Sequence, residues 1–121
     1  MTSKERVLMT LKHTEPDKVP YDLTSTLVTG IHHIAYQNLR DYLGLEKKAI
    51  ELFDRVQGLA RVHEDVLERL EVDTRGVLTG SPFGWELELE ETPEYEQFTD
   101  VWGITWRKPK PHASRAPAST G

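Results

Sequence analysis

The chain contains no cysteine. That removes disulfide frameworks, thiolate zinc sites and thiol nucleophiles together. Basic charge is also short: 15 Lys and Arg stand against 20 Asp and Glu, a formal net charge of −5. Such a surface repels phosphate, so no nucleic-acid partner is expected. No apolar run approaches the roughly 20 residues that span a bilayer, and no membrane partner is expected either. The opening MTSKERVLMTLKHTE lacks the apolar stretch of a secretion signal. A soluble cytoplasmic protein is the plain reading. No internal repeat is present. At 121 residues one domain is the default, able to bury roughly two-thirds of its unfolded surface.

What is present is organised around residues 60–80, ARVHEDVLERLEVDTRGVLTG. Leu59, Val62, Val66, Leu67 and Leu70 recur at three- and four-residue steps, the stripe of an amphipathic helix. His63, Glu64, Asp65, Glu68 and Arg69 take the opposite face. From Val72 the pattern becomes extended, running through Asp73–Thr79 until Gly80-Ser81-Pro82 stops it. A helix feeding a strand is one step of an α/β architecture.

On the N-terminal side, Thr2-Ser3-Lys4-Glu5 has the form of a capping box. Val7, Leu8 and Leu11 supply an apolar face to the helix it opens, and Pro16 is expected to end that helix. Val19–Leu23 reads as extended. A second helix follows through Ile31, Ile34, Ala35, Leu39, Tyr42 and Leu43, with Thr29 as its cap and Gly44 at C′. Residues 47–57 satisfy both a helical and an extended pattern. Beyond the centre, Trp85–Glu90 alternates apolar and acidic residues, the mark of a half-solvated antiparallel strand. Val101–Trp106 is expected to answer it across a wide hairpin, with Trp102, Ile104 and Trp106 on one face. From Lys108 to Gly121 the chain is rich in Pro, Ala and Ser, has no large apolar residue, and is expected to be disordered.

Candidate chemistry is sparse. His32-His33 are adjacent and diverge by about a quarter-turn on a helix, so they do not grip one ion as an i, i+4 pair does. His63-Glu64-Asp65 has the same defect, and no metal site is expected. Glu86, Glu88, Glu90 and Glu91 read as a solvated strand face. Asp73 and Arg75 fall on one face of the expected strand: either a ligand-facing acid and base, or a structural ion pair at its entrance. In a parallel barrel the site lies at the strands' C-terminal ends, which favours Thr79, Gly80 and Ser81 instead. Asp22, Ser25, Thr26, Gly30 and His32 lie between an extended segment and a helix N-terminus, where free N–H groups favour an anionic ligand. Ordinary capping explains that segment equally well. The candidate substrate-facing set is therefore Asp22, Ser25, Thr26, Gly30, His32, Asp73 and Arg75.

SKERVLMTLKHTEPDKVPYDL resembles the opening of uroporphyrinogen decarboxylase superfamily proteins. TGIHHIAYQNLRDYLGL, FDRVQGLARVHEDVLERLEVDTRGV and DVWGITWRKP look like later pieces of the same superfamily, nearest its corrinoid methyltransferase-like branch. The resemblance covers residues 3 to about 108. It implies an α/β fold, the N-terminal part of a (β/α)₈ TIM barrel; in isolation the piece would be α+β, helices plus a β-hairpin. It also implies a parent enzyme acting on a small-molecule substrate, a carboxy-lyase or a methyltransferase, with zinc and a corrinoid partner used by methyltransferase members. No cofactor is assigned to this chain itself. Decarboxylase members carry an arginine-rich loop where this chain has Leu23–Gly30 without arginine, so nothing there pairs with substrate carboxylates. A complete barrel takes on the order of 250 residues. The expectation is thus residues 1–107 as a barrel's N-terminal segment, inactive alone, with a truncated or frame-shifted reading frame behind the change at residue 108. Self-association would follow from unpaired strand edges. The competing expectation is a self-standing α+β module that docks a partner through its hairpin. Apolar surface left bare at Val77, Leu78 and the Trp102/Ile104/Trp106 face separates the first from the second.

Overall fold

The computed structural model describes residues 1–110. It is mixed helix and sheet, an α+β arrangement in two compact units, Met1–Leu78 and the residues from Thr79 onward. The first unit runs α1 (Ser3–Leu11), a one-turn 3₁₀ helix (Leu27–Thr29), α2 (His33–Tyr42), β1 (Leu52–Asp54), β2 (Leu59–Ala60) and α3 (Glu64–Arg69). The second holds β3 (Leu89–Glu91), β4 (Tyr95–Thr99) and β5 (Thr105–Pro109). No helix among the described residues is long and apolar enough to cross a membrane.

Helix α1 starts where its capping box places it: the Thr2 hydroxyl accepts from Glu5 N–H, and the Glu5 carboxylate accepts from Thr2 N–H. Its end differs from the expectation. Lys12 caps it, and His13 turns the chain away at φ 56°, ahead of Pro16. The buried side chain of α1 is Arg6, while Leu8 and Leu11 of the expected apolar face are exposed. Helix α2 ends as expected at Gly44. Gly44 N–H donates to Asp41 O and Leu45 N–H to Arg40 O, the two bonds of a Schellman motif, with Gly44 at φ 67°.

The stretch 47–57 is not helical: β1 lies within it and pairs antiparallel with β2 in a small hairpin. Gln57 N–H donates to the Asp54 carboxylate and tightens the turn. Gly58 supplies the left-handed residue at φ 69°. The hairpin sets Leu59 and Ala60 against α2, where they join Tyr36, Val66, Leu67 and Val72 as the buried apolar core. Leu59 therefore belongs to a strand and not to the expected helical stripe.

Helix α3 is correspondingly short, six residues closed by Leu70. Glu71 N–H donates to Glu68 O and Val72 N–H to Leu67 O, so α3 ends in the same motif as α2. Here a glutamate, not a glycine, occupies the left-handed position at φ 54°. The extended stretch after it, expected as a strand through Thr79, joins neither sheet.

The second unit corrects the expected wide hairpin. Part of the presumed connection, Tyr95–Thr99, is itself the central strand of a three-stranded antiparallel meander ordered β3-β4-β5. Phe98 sits between Leu89 and Trp106, and Gln97 between Glu90 and Arg107. Trp102 falls in the turn before β5 and is exposed. β5 continues through Lys108 and Pro109, so the boundary expected after residue 107 lies inside a strand. The rest of the tail expected to be disordered, residues 111–121, lies outside the described residues.

Candidate functional site

Of the candidate residues, Asp22, Ser25 and Asp73 gather where the segment after Tyr21 meets the segment after Val72. Asp73 N–H donates to Tyr21 O at 2.9 Å, and Tyr21 N–H returns a bond to the Asp73 carboxylate at 2.9 Å. One residue further on each side, the Thr74 hydroxyl donates to Asp22 at 2.6 Å. Further still, a Cβ on Gly76 would lie 2.7 Å from the Ser25 carbonyl oxygen. Residue numbers rise together on both segments, so the two run in the same direction.

Asp22 also accepts from Ser25 Oγ at 2.7 Å and Ser25 N–H at 3.3 Å. Burial pushes its carboxyl up, but the hydrogen bonds from Ser25 and Thr74 outweigh that and hold it below the ordinary value. Thr26 heads the 3₁₀ turn in reciprocal bonds with Thr29. Gly30 passes so close to Leu59 that a Cβ would stand 2.7 Å from Leu59 Cδ1. His32, rather than Thr29, caps α2: its Nδ1 accepts from Ile34 N–H at 3.3 Å. His33 donates from both its backbone N–H and Nδ1 to Gly58 O. These residues tie turns and helix ends together.

Asp73 and Arg75 do not meet each other. The Asp73 carboxylate, nearly without solvent contact, accepts from Arg6 as well as Tyr21, and these bonds, the Tyr21 N–H foremost, keep its pKa low. Arg6 also grips Asp17 through two parallel bonds of 2.7 and 3.0 Å. Arg75 binds Glu64 at 2.6 Å and the carbonyls of Val72 and Thr74. A cleft of about 260 Å³ opens beside it, lined among others by Thr24, Phe53, Arg61, Glu64 and Leu78.

A second polar cluster, absent from the sequence reading, lies in the core. Tyr36 is wholly buried, and its hydroxyl accepts from His63 N–H at 2.9 Å and from Arg40 at 3.3 Å. The phenol's single proton is then directed to Nδ1 of His63, 2.6 Å away. Arg40, also buried, forks onto Asp65 at 2.8 and 2.9 Å and reaches Glu46 O. The hydrogen bonds from Arg40 pull the Asp65 carboxyl far below its ordinary value. The signal was present: Tyr36 and Arg40 are four apart on α2, on the face that meets the core.

Among the described residues no group of three His, Asp or Glu is placed to hold a metal ion. The described donors therefore do not fit a zinc centre, and no chemical step is assigned through one. The sequence matches no protein-family model, no curated protein and no solved structure.

Proposed function

We propose that this chain is the N-terminal part of a uroporphyrinogen decarboxylase-like barrel enzyme, nearest the corrinoid methyltransferase-like branch, and catalyses nothing alone. The observation that carries the proposal is the same-direction pairing of Tyr21 with Asp73 and of Asp22 with Thr74. Between these segments lie α2, the β1–β2 hairpin and α3. Two parallel neighbours joined by a helical crossover are the unit from which a barrel is repeated. On this reading Tyr21–Leu23 and Asp73–Leu78 are the first two barrel strands. One backbone bond, Asp73 N–H to Tyr21 O, joins them, and they form no ladder among the described residues; on this reading later strands and outer helices supply the remaining walls. Apolar surface agrees: Val77 is 98% exposed and Leu78 40%, residues that a closed barrel would cover. Leu8 and Leu11 on α1 are bare as well.

In the intact enzyme the substrate is a small molecule held at the strands' C-terminal ends, which puts Thr24, Ser25 and Leu78 nearer to it than Asp73. Zinc and the corrinoid partner belong, on this reading, to parts of the parent beyond these residues, and the parent is placed in the cytoplasm. The test is to read the coding DNA beyond codon 121 in all three frames. Further strand–helix units, with His and Cys ligands among them, are the expected result. A continuation without such units in any frame would sink the proposal. The alternative, a module that docks a partner through its sheet, would then be favoured by the completeness of the β3-β4-β5 meander within one unit.

A further inference from the structure

Among the described residues the three-stranded sheet has two open edges of opposite charge. Backbone pairing decides which groups each edge presents. Asp100 N–H donates to Ile104 O and Lys110 N–H to Glu94 O, so even-numbered residues of β5 bond to β4. Thr105, Arg107 and Pro109 therefore direct their backbone groups outward, because bonded and unbonded pairs alternate in an antiparallel ladder. Pro109, which has no N–H, loses nothing in that position. On the other side Thr92 N–H donates to Tyr95 O, so Glu90 bonds to β4 while Leu89 and Glu91 face outward.

We propose that this sheet adds a second copy of the chain edge to edge, β5 of one copy lying parallel to β3 of the next. The register sets Trp106 beside Leu89, Arg107 beside Glu90 and Lys108 beside Glu91. Two requirements are met by this register, and the pairing of Arg107 and Lys108 with Glu90 and Glu91 prefers it to a shift of two residues. In a parallel pair a residue bonds to the two neighbours of the residue opposite it. Arg107 opposite Glu90 thus bonds to Leu89 O and Glu91 N–H, the groups that β3 leaves free. The side chains agree without further adjustment. The stripe Leu89–Phe98–Trp106 continues on one face, and the polar row Glu90–Gln97–Arg107 continues on the other. That row is already bonded within one copy, Gln97 donating to Glu90 and accepting from Arg107. All five residues of β5 are exposed, as are Glu90 and Glu91 on β3.

Charge makes the second copy the fitting occupant. β5 carries Arg107 and Lys108, and the segment leading into and through β3 carries Glu86, Glu88, Glu90 and Glu91. Two β5 edges repel each other and two β3 edges repel each other, whereas one of each attracts. The contact is heterologous, so it grows past the dimer and closes only if the rotation between copies permits a ring.

The experiment is sedimentation of the full chain over a concentration series at low salt. The average mass should climb past that of a dimer, and raised salt should reverse it. The variants Arg107→Glu/Lys108→Glu and Glu90→Lys/Glu91→Lys should each associate roughly tenfold more weakly. Mixed in equal amounts they should regain association, since each then meets an edge of opposite sign; a misfolded variant could not do this. Arg107→Pro, which removes an outward N–H and leaves the bonds to β4 intact, should also stop growth. A monomer at every concentration, a plateau at dimer, unaltered association in the charge-reversed variants, or a mixture no better than its parts would each overturn the proposal.

Discussion

Replacing Tyr36 by phenylalanine removes one oxygen from a wholly buried place in the first unit. The ring, which packs against Ala60 and Val66, stays in place. The hydroxyl's three bonds do not: His63 N–H, His63 Nδ1 and one Arg40 N–H lose their partner. Arg40 keeps Asp65 and Glu46 O, and the half-buried His63 ring can find water. The backbone N–H of His63 is the costly loss. A buried donor left unmet costs about 1–3 kcal/mol. With a smaller share from the ring nitrogen, the total comes to about 2–3 kcal/mol. A unit the size of Met1–Leu78 has roughly 4–12 kcal/mol of stability in all, so the change is large. Every helix among the described residues lies in this unit, and ellipticity at 222 nm therefore reports it. With a urea slope near 1 kcal/mol per molar, the midpoint should fall by about 2 M. Tyr42→Phe, at an 87% exposed position, is the control and should not move it. A Tyr36→Phe midpoint within about 0.5 M of the parent would refute the assignment of the phenol as a structural hub.

Glycine positions offer a second check. Gly76→Ala places a methyl against the Ser25 backbone oxygen and should cost about 1–3 kcal/mol, while Gly80→Ala, with open space around it, should cost almost nothing, as urea midpoints would show. Glu71→Gly relieves a left-handed residue at the end of α3 and should stabilise by about 1 kcal/mol; a lower melting temperature would contradict the strain argument. Acid should unfold the first unit. Asp17, held at about 2 by Arg6, and Asp22, Asp65 and Asp73 all titrate below their ordinary value of 3.8. A depressed folded pKa gives stability that is complete above the unfolded pKa and lost as pH falls through the folded one, so the melting temperature should drop between about pH 4 and 2. A flat profile there would contradict it. The purified chain should neither decarboxylate uroporphyrinogen nor transfer a methyl group; turnover of either, abolished by Asp22→Asn, would overturn the proposed function.

The sequence by itself determined the features whose cause is local. Thr2 and Glu5 satisfy each other's N–H groups within one turn, and Gly44 ends α2 because it alone takes the left-handed angle without strain. The mixed helix-and-sheet character was legible for the same reason. Tertiary structure decided what depended on distant partners. Residues 47–57 fit helix and strand equally, and became part of a hairpin whose Ala60 N–H reaches Ile31 O while Ala60 packs beside Tyr36. Tyr95–Thr99 reads as a polar connection, yet it becomes the middle strand because β3 and β5 bond to it from both sides. Asp73 and Arg75 shared an expected face, but Arg6, 67 positions before Asp73, and Glu64 drew them to separate partners. A charged side chain pairs with whatever the fold brings within reach, and spacing along the chain carries no record of it.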